Sequence, residues 1–126
     1  MYDDLIARLE AATEGSLDLD VEIELAITPN RAAHPKGLRG FVISTYGRWE
    51  DSVMPVDHYT TSLDAALPGE EITMVQRINR GAGHWWTAWA VLHEHRSVTG
   101  DGHTEALARR AAGLQAIAAR AADNHN

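Results

Sequence analysis

No cysteine occurs in the chain. That excludes disulfides, thiolate metal sites and a cysteine nucleophile, and it suits a reducing cytoplasm. Positive charge is scarce too: 11 Lys and Arg stand against 18 Asp and Glu, a formal net charge of −7. Such a surface repels phosphate backbones, which disfavours broad binding to nucleic acid, although a local basic patch could still hold a small anion. No apolar run approaches the ~20 residues that a membrane helix needs, so no membrane partner is expected. The opening MYDDLIARLE lacks the basic-then-apolar order of a signal peptide. Internal repeats and low-complexity linkers are also missing.

Catalytic motifs are equally scarce. Ser44, Ser52 and Ser62 lie in no nucleophile elbow. The GAGH of residues 81–84 lacks P-loop spacing and opens a strand pattern, not a helix. The acids at 18, 20, 22 and 24 lack the turn glycine and terminal glutamate of a calcium loop, and large apolar residues separate them. No cofactor is expected.

What is present is enough for one folded domain spanning residues 1–126. The chain is 44% hydrophobic and 23% charged, ordinary for a globular protein with one core. Residues 3–13 read as a helix, with Leu5, Ile6, Leu9 and Ala12 on one face and Gly15 ending it. Residues 16–27, SLDLDVEIELAI, admit two readings. Strict apolar–acidic alternation has the period of a strand, whereas Ser16 as a cap and acids in the first turn suit a helix.

Prolines and glycine mark 28–39 as a loop, GFVISTY (40–46) reads as a strand, and 47–58 is loop-like. Residues 60–67 read as a short helix with a Thr61/Asp64 capping box, stopped by Pro68-Gly69. Residues 71–79 and 85–94 form a hairpin pattern around RGAGH, where Gly81 and Gly83 would supply positive φ. The last helix covers 104–122, with Thr104 as its cap and a stripe of Leu107, Ala111, Leu114, Ala118 and Ala121. The expected fold is α+β: a small antiparallel sheet of three to four strands with helices packed on it, an α/β/α layered sandwich.

RGAGHWWTAWAVLHEH, residues 80–95, concentrates the chemistry: it holds three of the chain's four tryptophans. In a strand, Trp85, Thr87, Trp89, Val91 and His93 share one face, and Trp86, Ala88, Ala90, Leu92 and Glu94 the other. Both faces are mainly apolar, so a central strand covered on both sides is expected, with Trp86 and Trp89 in the core. The competing reading is a binding wall. Trp85 and Trp89 would stack a planar ligand or anchor a partner, with Arg77, Arg80, Arg48, Lys36 and His84 available to an anion. His93 and His95 are the metal candidates, and His58, His84 or His103 would have to complete the set.

Three segments together resemble a known group. LIARLEAATEGSLDLDVEIELAI (5–27), YTTSLDAAL (59–67) and TEALARRAAGLQAIAARA (104–121) are similar to small phage and prophage proteins of the phage ABA sandwich domain type. The resemblance implies a helix for 16–27, a layered helix–sheet fold, and residence in a bacterial host's cytoplasm during infection. It brings no activity. In that setting the expected role is non-catalytic. The protein would be an accessory, anti-defence binding protein that sequesters a nucleotide-like anionic immune signal or blocks a host defence protein. A pocket for such a signal would lie between subunits of a homo-oligomer. The alternatives are a structural or assembly protein, and a metal-dependent hydrolase using His93 and His95.

Overall fold

Segment 16–27 is a helix. A computed structural model describes residues 2–34, 37, 40–45, 48–49, 52–81, 83–93 and 96–124 of the chain. Within them, α1 (Asp3–Ala11) is followed by α2 (Leu17–Ile27), and the Ser16 hydroxyl caps α2 by accepting from the Leu19 amide at 3.2 Å. The alternation is explained by what α2 buries. Leu19 and Ile23 are buried, but so are Asp20 and Glu24. Asp20 accepts from the Thr60 amide (2.8 Å) and hydroxyl (2.7 Å). Glu24 accepts from the Thr28 hydroxyl (3.0 Å) and pairs with Arg31 (2.9 Å). Buried acids with dedicated partners erase the one-sided apolar stripe by which a helix is usually read.

The strands form two antiparallel sheets. β1 (Arg31–Ala33), β2 (Phe41–Thr45) and β3 (Arg48–Trp49) pair in that order. β4 (Ile72–Arg80), β5 (Gly83–His93) and β6 (Arg96–Gly102) make the second sheet, with β5 in the centre. The hairpin turns at Gly81, whose φ is +59°, and closes on the Arg80–Gly83 pair. The fold is therefore α+β with helices packed on sheets, as expected, but its strands are divided between two sheets. β1 and β3 lie in stretches expected to be loops.

Helix α3 (Glu105–Asn124) starts at Thr104, whose hydroxyl accepts from the Leu107 amide at 3.2 Å. It serves two cores at once. Leu107, Ala111 and Leu114 pack with Leu5, Ile6 and Leu9 of α1, Leu19 and Ile23 of α2, and Phe41, Tyr59 and Leu67. Ala108, Ala112 and Ala116 form a second cluster with Ala88 and Ala90 of β5. The side of α3 that meets the sheet is thus one residue on from the expected stripe. The approach is close because β6 presents glycine to the helix. A Cβ at Gly102 would lie 2.7 Å from the Ala108 amide nitrogen, and one at Gly100 would collide with the backbone of Ala111 and Ala112.

Residues 60–67 form turns, not the expected helix. Fully buried Arg110 takes the carbonyls such a helix would use. Its guanidinium donates to the oxygens of Tyr59 (2.9 Å), Ser62 (2.9 Å) and Leu63 (3.0 Å), and to Glu70 Oε2 (2.5 Å). The Asp64 amide that Thr61 would have capped goes to Ser62 Oγ instead, at 3.2 Å. Charge-assisted bonds in a dry site outweigh the small helical propensity of one or two turns. No described helix is long and apolar enough to cross a membrane.

Candidate binding face

The register of the second sheet sorts its side chains. On β5, Trp86, Ala88 and Ala90 point toward α3, with Gly102, Gly100 and Val98 beside them on β6. The alternate residues Trp85, Thr87, Trp89 and Val91 point the other way. Across from them on β4 stand Ile78 (opposite Trp85), Gln76 (opposite Thr87) and Met74 (opposite Trp89). On β6, Asp101, Thr99 and Ser97 complete the face.

Among the described helices, α3 packs on the glycine-lined side of this sheet and α1 meets it along β6. No described helix packs on the outer face. Met74 is 51% exposed, and Trp85, Trp89, Ile78 and Val91 are half-buried. The expectation of a strand covered on both sides is corrected: Trp86 packs against the helix-side core, while Trp89 belongs to the open side. Trp89, Trp85 and Met74 lie on the face that no described helix covers, while under the helix Ala88, Ala90 and two glycines make the centre, flanked by Trp86, Ile72, Val75 and Val98. Thr87, on the side away from Ala88, is buried. Its hydroxyl donates to Asp101 Oδ1 at 2.7 Å, satisfying the face's central carboxylate. At the end of the face, the Trp85 ring meets His103 at a centroid distance of 4.0 Å and a tilt of 37°.

The structure gathers some of the candidate residues and separates others. Trp85 and Trp89 share the open face. Arg77 is exposed but stands opposite Trp86, on the helix side of the sheet. His84 lies by the turn, its Nδ1 2.7 Å from Asn79 Oδ1. Arg48 lies on β3 of the other sheet, which no element of β4–β6 touches. Arg80 closes β4, and its side chain lies outside the description, as do Lys36 and His95. The aromatic pair and the candidate cations Arg77 and Arg48 therefore do not converge. His93 Nε2 sits 2.7 Å from Asp123 Oδ2, tying the end of β5 to the end of α3. Among the described residues no three metal-binding side chains come together.

Met74 and Ile78 were not singled out from the sequence. Their signal was present: counting back from the RGAG turn puts them level with Trp89 and Trp85. The buried polar groups were missed too. Burial pushes the Glu70 carboxyl pKa up while Arg110 pulls it down, and the net direction is up. Glu70 Oε1 has no hydrogen-bond partner among the described residues. Tyr59 is pushed up to about 12, by burial first and then by the charges of Glu24 and Asp57. Arg110, Glu70 and Asp20 hold segments of the chain together and line no part of the open face.

Comparison with known proteins adds no identity. No family model, curated protein or solved structure matches the chain.

Proposed function

We propose that the chain is a non-catalytic binding protein that docks a partner protein on the open face of the β4–β5–β6 sheet. One observation carries this reading. Trp85 with Ile78, and Trp89 with Met74 and Val91, make two apolar clusters on the side of the sheet away from Ala88 and Ala90, with the Gln76–Thr87–Asp101 row between them. Apolar side chains left in water are a standing cost that a partner's surface removes. Tryptophan and methionine are also enriched at the centres of protein interfaces. The rim supplies uncharged hydrogen-bonding groups: Gln76, Thr99 and Ser97.

A small nucleotide-like anion fits this surface less well. Stacking is available at Trp85 and Trp89, but charge neutralisation is not close by, since Arg77 and Arg48 lie elsewhere. The resemblance to phage ABA sandwich-domain proteins supports a bacterial host's cytoplasm as the setting. A host defence protein, blocked by occupancy, is then the partner.

The test is site-specific photo-crosslinking in host lysate. A probe at Met74 is expected to capture one host protein, and a probe at Asp4 on α1 to capture none. Trp89→Ser should abolish the capture at position 74. Equal capture from both positions, or capture indifferent to Trp89→Ser, would overturn the reading. A thermal shift with cyclic nucleotides or ADP-ribose derivatives, lost in Trp89→Ser, would replace the protein partner with a small ligand.

A further inference from the structure

The two edges of the second sheet are treated differently. The β6 edge is covered: α1 packs against it, and the Asp101 amide donates to Glu10 Oε2 at 3.3 Å. The β4 edge has no such cover. Among the described elements β4 touches only β5 and α3, and no backbone hydrogen bond leads outward from it. No residue from 72 to 79 is buried. The strand is nine residues long and carries no proline; Arg77 is exposed on it, and its register with β5 shifts between Ile72 and Met74, so the regular part of the edge runs from Met74 to Arg80.

The residue order of β4, ITMVQRINR, is also self-complementary. Laid antiparallel against a copy of itself with Gln76 at the centre, Met74 falls opposite Ile78 of the second copy. Thr73 falls opposite Asn79, and Val75 opposite Arg77. Met74–Ile78 is apolar with apolar and Thr73–Asn79 polar with polar, and no directly opposed pair sets like charges together. Both α3 helices then lie on one side. The two open faces join on the other.

We infer that the β4 edge is a homodimer interface, pairing with β4 of a second copy across a two-fold axis at Gln76 to make one six-stranded sheet. A two-fold is the commonest protein symmetry, and an edge strand that matches itself meets its geometric requirement. The edge bonds through its backbone; Met74, Gln76 and Ile78 meet the second copy at the seam, and Trp85, Trp89 and Val91, on the next strand, stay clear of it. The dimer therefore stands or falls independently of what binds at Trp85 and Trp89.

Charge exchange at the axis tests it. Gln76 is exposed, so Gln76→Lys and Gln76→Glu are expected to fold as the wild type does, which circular dichroism checks. In sedimentation analysis the wild type is expected to be a dimer. Either variant alone should dissociate at several-fold higher concentration than the wild type, and an equimolar mixture should recover a heterodimer. Because the chain has no native cysteine, Gln76→Cys is expected to form a covalent dimer on mild oxidation, and Thr99→Cys on β6 is not. A monomeric wild type would overturn the inference. So would a dimer that neither charged variant weakens, or oxidation that links Thr99→Cys as readily as Gln76→Cys.

Discussion

The two faces of β5 invert the usual distribution of side-chain size. The face that packs on α3 is built mostly from small residues: Ala88 and Ala90, with Gly100 and Gly102 beside them and Ala108, Ala112 and Ala116 above. The open face carries two tryptophans, a valine, a methionine and an isoleucine. Close packing explains the first choice, since a helix backbone can approach a sheet closely only where side chains are short. Nothing in the fold requires the second. The proposed docking of a partner would account for bulk placed where no described helix covers it.

That contrast can be tested by perturbing each side, beginning where the cost should be greatest. Arg110→Ala leaves Glu70 and three carbonyls buried without their partner. It is expected to cost about 3–5 kcal/mol in denaturant unfolding, the size seen when one member of a buried ion pair is removed. Gly100→Val puts branched bulk against the α3 backbone and should cost about 3 kcal/mol. Its neighbour Thr99→Val, on the open side, should change stability by less than ~0.5 kcal/mol. Similar losses for the two would erase the distinction between the faces.

Tyr59, in the helix-side core, predicts a pH effect. Its folded pKa of about 12 lies above the unfolded value of 10. The folded state therefore holds its proton more tightly. The resulting stability is complete below pH 10 and is lost as the pH rises toward 12. Tyr59→Phe should remove that part of the slope, so the difference between wild type and variant narrows over this window. A constant difference would show that the phenol titrates normally.

Thr87→Val strips the bond from Asp101 and should cost about 1 kcal/mol, as loss of a single partly buried hydrogen bond does. Met74→Ser should be the mildest change, within ~0.5 kcal/mol, because half the side chain is already in solvent. Its expected effect is on partner capture, leaving unfolding unchanged. A large stability loss there would mean that the open face is part of the core.

How much of this was legible depended on whether a residue's partner was near in sequence. Helix α1, the β4–β5 hairpin and the Thr104 cap follow from patterns a few residues long. Strand β6 was invisible because RSVTGDG has glycine at the helix-facing positions, where a strand normally shows its apolar residues. The segment 60–67 looked helical because the guanidinium that unwinds it lies some 50 positions away, the Arg110–Tyr59 separation being 51. Trp85 and Trp89 were evident on one face of β5, but the position of Arg77 on the opposite side follows from the cross-strand register.

The sequence by itself determined the class of fold, the hairpin, the capped start of α3, and which β5 residues share a face. Each depends on local periodicity or on a bond spanning three residues. Only the tertiary structure decided which face α3 covers, which edge α1 protects, and which acids are buried. Those outcomes depend on which distant surfaces fit together closely enough to exclude water, and that is a property of the packed chain as a whole.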